Sequence, residues 1–168
     1  MVNYNEKIDD MRGNLKIILV SSLIKETQVA RSISSSKKDG IQINKDKYKS
    51  LLVNSILKLI RLVDNKNIQN KDIRSEIIKL SAETGVSIGQ SQKVINVYLK
   101  LYCLLRDCSL EIIKELDCPL DSITMDKKQK MKNLIDINEY IDWQNKFEME
   151  LGIRLLKDSA YDFNRINR

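Results

Sequence analysis

Apolar residues recur along most of the chain at steps of three and four, the spacing that puts side chains on one face of an α-helix. The pattern is clearest over about residues 45–64, where Tyr48, Leu51, Leu52, Ile56, Leu59, Ile60 and Val63 form one stripe. It predicts further helices over about residues 15–32, 71–84 and 109–115. Another is expected from about Asp136 onward, with Tyr140, Trp143, Phe147, Leu151 and Leu155 as its apolar positions. Gly85 suits the left-handed position just past a helix end, and Gly152 a bend or stop. Residues 34–40 read as an exposed loop, and about residues 1–13 as a frayed polar end.

The stretch from about 91 to 106 differs. Val94, Ile95, Val97, Tyr98, Leu99, Leu101, Tyr102, Leu104 and Leu105 leave almost no polar side. A helix apolar nearly all round is buried on most faces, so this one is expected at the centre of the fold. Its polar exceptions, Lys93, Asn96 and Lys100, fall on about one stripe. No internal repeat, sustained heptad or low-complexity tract interrupts the pattern. The expectation is one compact, globular all-α domain over residues 1–168, with a central buried helix at about 91–106.

Composition agrees with long helices and short links. One proline and five glycines in 168 residues are too few for the tight turns of a β-rich fold. The formal charge of +6 fits a polyanionic partner such as nucleic acid or a nucleotide, and equally a charged solvated surface. Cys103, Cys108 and Cys118 are an odd number, so the reading is free, mostly buried thiols in a reducing cytoplasm. The apolar run at 15–24 is too short to span a bilayer and follows Asp9 and Asp10 rather than basic residues. No leader peptide and no membrane partner are therefore expected.

The chain has no histidine. That removes Ser-His-Asp and Cys-His catalysis and weakens any zinc site, since three cysteines at these spacings match no four-ligand pattern. No metal and no cofactor are expected, and chemistry is left to carboxylates, lysine, tyrosine or a thiol.

Two places stand out. Residues 85–93 join two helices through a glycine-bearing turn, which either offers backbone N–H groups to a phosphate or is an ordinary turn with Ser91 as N-cap. The stripe of Lys93, Asn96 and Lys100 either holds a partly desolvated amine, met by Asp107, Asp117 or Asp121, or snorkels to solvent. Asp121, just after Pro119, is a helix cap or a carboxylate aimed into a cleft. Trp143 stacks on a base or packs in the core.

The order of a glycine hairpin, then Lys93-Val94-Ile95-Asn96-Val97-Tyr98-Leu99, then Asp121 opening the next element resembles the core of helix-hairpin-helix DNA glycosylases, over residues 85–124. The resemblance implies that Gly85 to Gly89 grip the DNA backbone, that Lys93 attacks the sugar, and that Asp121 assists base loss. Ser87, Gln90, Gln92, Asn96 and Lys100 complete the implied binding surface. Ser87 stands where that family carries glycine, and matching Gly89 to the last hairpin glycine moves the nucleophile position to Ser91. A second likeness is to a group of uncharacterised bacterial and phage proteins. It rests on Gln92-Lys93, Asn96, Leu99-Lys100, Cys118-Pro119-Leu120-Asp121-Ser122-Ile123 and Trp143. The second likeness supports treating Lys93 to Asp121 as one unit and supplies no activity; the first implies a nucleic-acid-binding helical protein of base-excision type. The alternative is a non-catalytic phage or defence-associated protein that recognises a nucleotide or a protein partner, or that forms a homo-oligomer.

Overall fold

A computed structural model describes residues 37–38, 41–42, 45–126 and 129–158. The helix expected over 15–32 and the frayed end over 1–13 lie outside the described residues. Among the described residues the fold is all-α apart from one minimal antiparallel strand pair. Lys37–Lys38 (β1) pairs antiparallel with Ile41–Gln42 (β2), where a plain loop was expected.

Five helices follow among the described residues: α1 (Lys45–Asp64), α2 (Asn70–Thr84), α3 (Ile88–Leu105), α4 (Leu110–Glu115) and α5 (Ile137–Leu151). A short 3₁₀ turn, Met131–Asn133, precedes α5. In α1 the predicted stripe turns inward, with Leu52, Ile56 and Leu59 wholly buried. Each such side chain contributes about 1.5–3 kcal/mol relative to leaving it in water. Helix α2 ends where Gly85 takes the left-handed conformation (φ 74°) and returns its N–H to the Ser81 carbonyl at 2.8 Å. Helices α1, α2 and α3 pack on one another, and α5 and the 3₁₀ turn lie against α3.

Helix α3 is central, but two expectations about it need correction. It begins at Ile88, not Ser91. The Ser87 hydroxyl accepts from the Gln90 N–H and the Gln90 side chain accepts from the Ser87 N–H, both at 3.2 Å. This reciprocal capping box fixes the start one turn earlier, and Ser91 becomes a buried first-turn residue. Nor is the helix enclosed throughout. Val94, Ile95 and Leu99 are buried, whereas at the other end Leu105 is 82% exposed and Leu104 53%.

Candidate functional site

The chain from Leu116 to Leu120 is buried at every residue yet belongs to no helix or sheet. Buried backbone groups need partners, and here two glutamine side chains supply them. Gln144 of α5 accepts from the Cys118 N–H at 2.8 Å and donates to the Cys118 carbonyl at 2.9 Å. Gln92 of α3 accepts from the Leu120 N–H at 3.1 Å and donates to the Leu120 carbonyl at 2.7 Å. Each amide thus does what a neighbouring β-strand would do. Pro119 lies between the two clamped residues and has no N–H to satisfy.

Asp117, 1% exposed, anchors the same segment. Arg74 of α2 grips it through two bonds of 3.0 and 3.1 Å, Arg154 approaches at 2.9 Å, and the Tyr140 hydroxyl donates to it at 2.9 Å. Asn96 donates to the Tyr140 oxygen and to the Gln92 side chain, each at 2.9 Å, which joins the hub to the clamp. Burial, reinforced by the Asp117 charge, raises the Tyr140 hydroxyl well above its ordinary pKa, so it remains a donor.

At the rim of this network Lys93 meets Asp121, Nζ to Oδ2, at 2.8 Å. Their side chains keep 12% and 25% of their surface in water. The other Asp121 oxygen accepts from the Ile123 and Thr124 N–H groups at 2.9 and 3.0 Å, so the residue also caps the turn that follows. Burial opposes charge on Asp121, but the Lys93 ammonium and these two donors outweigh it and hold the carboxyl below its ordinary pKa. The pair is an ionised carboxylate against an ammonium, partly accessible at one edge.

The remaining residues singled out from sequence have structural positions. Gly85 ends α2, and Ser87 and Gln90 form the capping box. Gly89 is buried under the 3₁₀ turn: its N–H donates to the Leu134 carbonyl at 2.9 Å, and an added Cβ would sit 2.0 Å from the Met131 carbonyl oxygen. The expected phosphate-gripping N–H of the hairpin is therefore engaged within the chain. Gln92 and Asn96 serve the clamp and hub. Lys100 pairs with Asp158 at 2.6 Å and is buried. The stripe does not converge on Asp121, since only Lys93 reaches it. Asp107 and Asp117 are not its partners.

Sequence reasoning passed over the clamp and hub residues Gln144, Arg74 and Arg154; it named Asp117 only as a possible partner of the lysine stripe and Tyr140 only as an apolar helix position. It also passed over four lysines at 127, 128, 130 and 132, a charge run that a count of basic residues would have found. Of these, Lys130 and Lys132 are exposed on and beside the 3₁₀ turn seated on Gly89. Gly89 and Lys93 are four residues apart on α3, hence on one helix face. The turn that carries Lys130 and Lys132 is therefore packed against the start of α3, one helical turn before Lys93. Clefts of about 170 Å³ beside Ser55 and Glu76 and about 510 Å³ beside Ile68 and Ile112 open elsewhere. Among the described residues, no group of three or more Cys, Asp or Glu side chains is placed to hold a metal ion, and no helix is long and apolar enough to cross a membrane.

No protein-family model matches the chain, and no curated protein or solved structure matches it.

Proposed function

We propose that the protein binds the phosphate backbone of nucleic acid at the start of α3, with Lys93 at the centre of the contact and Lys130 and Lys132 at its edge. The observation that carries this reading is the Lys93–Asp121 pair, whose carboxylate keeps 25% of its surface in water against 7% for Asp158 in the Lys100 pair of the same stripe. An incoming phosphate takes the place of Asp121 at Lys93. The sharper form of the reading is base excision. In it the Asp121 carboxylate, held ionised, stabilises the positive charge that develops on the sugar as a flipped base departs.

The test uses labelled single-stranded and duplex DNA over a range of salt. Binding is expected to weaken with salt, with a log–log slope of roughly −0.9 per phosphate contact on duplex. Asp121→Asn removes the competing charge and is expected to tighten binding. If the sharper form holds, the same substitution abolishes abasic-site formation on a panel of modified bases. Wild-type protein that makes no abasic site on any of them sinks the excision form, and wild-type protein with no salt-dependent binding sinks the whole reading.

One observation favours a second reading, in which the partner is a protein. Leu104 and Leu105 at the far end of α3 and Leu110 at the start of α4 are each more than half exposed. A cluster of this kind, away from the charged pair, suits a protein contact. Leu105→Glu would then abolish a partner or self-association seen by sedimentation and leave DNA binding unchanged.

A further inference from the structure

The end of α3 brings two of the three cysteines together. Asp107 takes a left-handed backbone conformation (φ 50°), its N–H bonds to the Leu104 carbonyl at 3.3 Å, and the Cys108 N–H bonds to the Cys103 carbonyl at 3.0 Å. These two bonds define a Schellman ending, in which the side chains of the residues joined by the outer bond lie against each other. Those residues are Cys103 and Cys108. A direct N–H to carbonyl bond between two residues also sets their α-carbons at about the separation a disulfide spans, roughly 4.4–6.8 Å.

The two thiols are unequal. Cys103 is wholly buried, and burial, with the Cys108 sulfur beside it, pushes its pKa up to about 12. Cys108 is half-buried and free, and so is the thiol an oxidant meets first. Cys118 is wholly buried within the clamped segment.

We propose that Cys103 and Cys108 form a reversible redox pair that closes to a disulfide on reaction with hydrogen peroxide. The Cys108 thiolate attacks one peroxide oxygen and the O–O bond breaks. Cys108 becomes a sulfenic acid, and the departing hydroxide takes up a proton to leave as water. The Cys103 sulfur then attacks the Cys108 sulfur, and the displaced hydroxide leaves as a second water with the Cys103 proton. Two thiols and one peroxide thus give one disulfide and two waters, and a dithiol reverses the change. The bridge ties the last turn of α3 to the residue two before α4, beside the exposed Leu104, Leu105 and Leu110.

Trypsin provides the test, because Arg106 lies between the two cysteines. The full chain is treated with stoichiometric peroxide, alkylated under denaturing conditions and digested without reductant. Peptides 101–106 and 107–114 are expected to leave as one cross-linked species that splits on reduction, while Cys118, in peptide 115–127, is recovered alkylated. Cys108→Ser should lose the cross-linked species. Recovery of the two peptides separately from oxidised, folded protein overturns the proposal, whether Cys108 is still alkylatable or has gone to sulfinic acid. A cross-link through Cys118 overturns it equally.

Discussion

Helix α3 supports two polar regions that look alike in sequence and differ in what surrounds them. Around Asp117, Gln92, Gln144, Asn96 and Tyr140, the polar groups meet protein partners with almost no water, the Asn96 Oδ1 excepted, and the network holds the buried 116–120 segment in place. At Lys93 and Asp121, a few ångströms of chain away, opposite charges meet with an edge in solvent. The first arrangement is costly to disturb because a buried polar group left alone loses both its partner and its hydration. The second costs less to disturb, since its solvent edge lets water replace part of what is lost. Polar residues on a buried helix can thus exchange partners only where their surroundings admit water or a ligand.

The sharpest way to break the contrast is Asp117→Asn, which leaves the Arg74 and Arg154 guanidiniums facing a neutral amide. It is expected to cost about 3–5 kcal/mol of stability, read from urea unfolding. Next come Gln92→Ala, which strands the buried Leu120 N–H and carbonyl, and Gln144→Ala, which strands the Cys118 N–H and leaves its carbonyl only the longer bond from Asn96. A loss of about 1–3 kcal/mol per stranded group is expected, and a fall of less than that would mean the 116–120 segment is not held as described. Gly89→Ala sets a methyl group against the Met131 backbone. It should cost about 1–3 kcal/mol as the 3₁₀ turn is pushed off α3, and amide exchange of the Gly89 N–H should speed up with it.

The rim pair is expected to respond least in stability and to respond to acid. Its folded-state carboxyl pKa is depressed, so its stabilising contribution is present above the ordinary value of 3.8 and is lost as pH falls through the lower folded value. Comparing acid unfolding of wild type with Asp121→Asn isolates that contribution. The two curves should converge at the acid end, and a difference that persists there would mean Asp121 stabilises by something other than its charge.

Much of this was legible in the chain, and the reasons for the rest are specific. The ends of α1 follow directly from the three-and-four spacing, and the end of α2 from Gly85. The start of α3 was readable too, because Ser87 and Gln90 carry the S-x-x-Q signature of a capping box; weighing the glycines alone hid it. The pairing of Lys93 with Asp121 was within reach, since Asp121 was one of three carboxylates expected to meet that stripe. The clamp was not. Gln144 reaches Cys118 across 26 residues and Arg74 reaches Asp117 across 43, and no local pattern announces such contacts. The exposed leucines at the end of α3 were hidden for a related reason. A run apolar on all sides does not say which neighbour fails to cover it.

The central claim is that Lys93 is held for a phosphate and the rest of the stripe for the fold. The most direct measurement compares wild type with Lys93→Met in two readouts, the salt dependence of DNA binding and the free energy of unfolding. The account predicts a salt slope shallower by about one unit, with a loss of stability well below that of Asp117→Asn, whose carboxylate is wholly enclosed. An unchanged slope, or a loss of stability as large as that of Asp117→Asn, would contradict it.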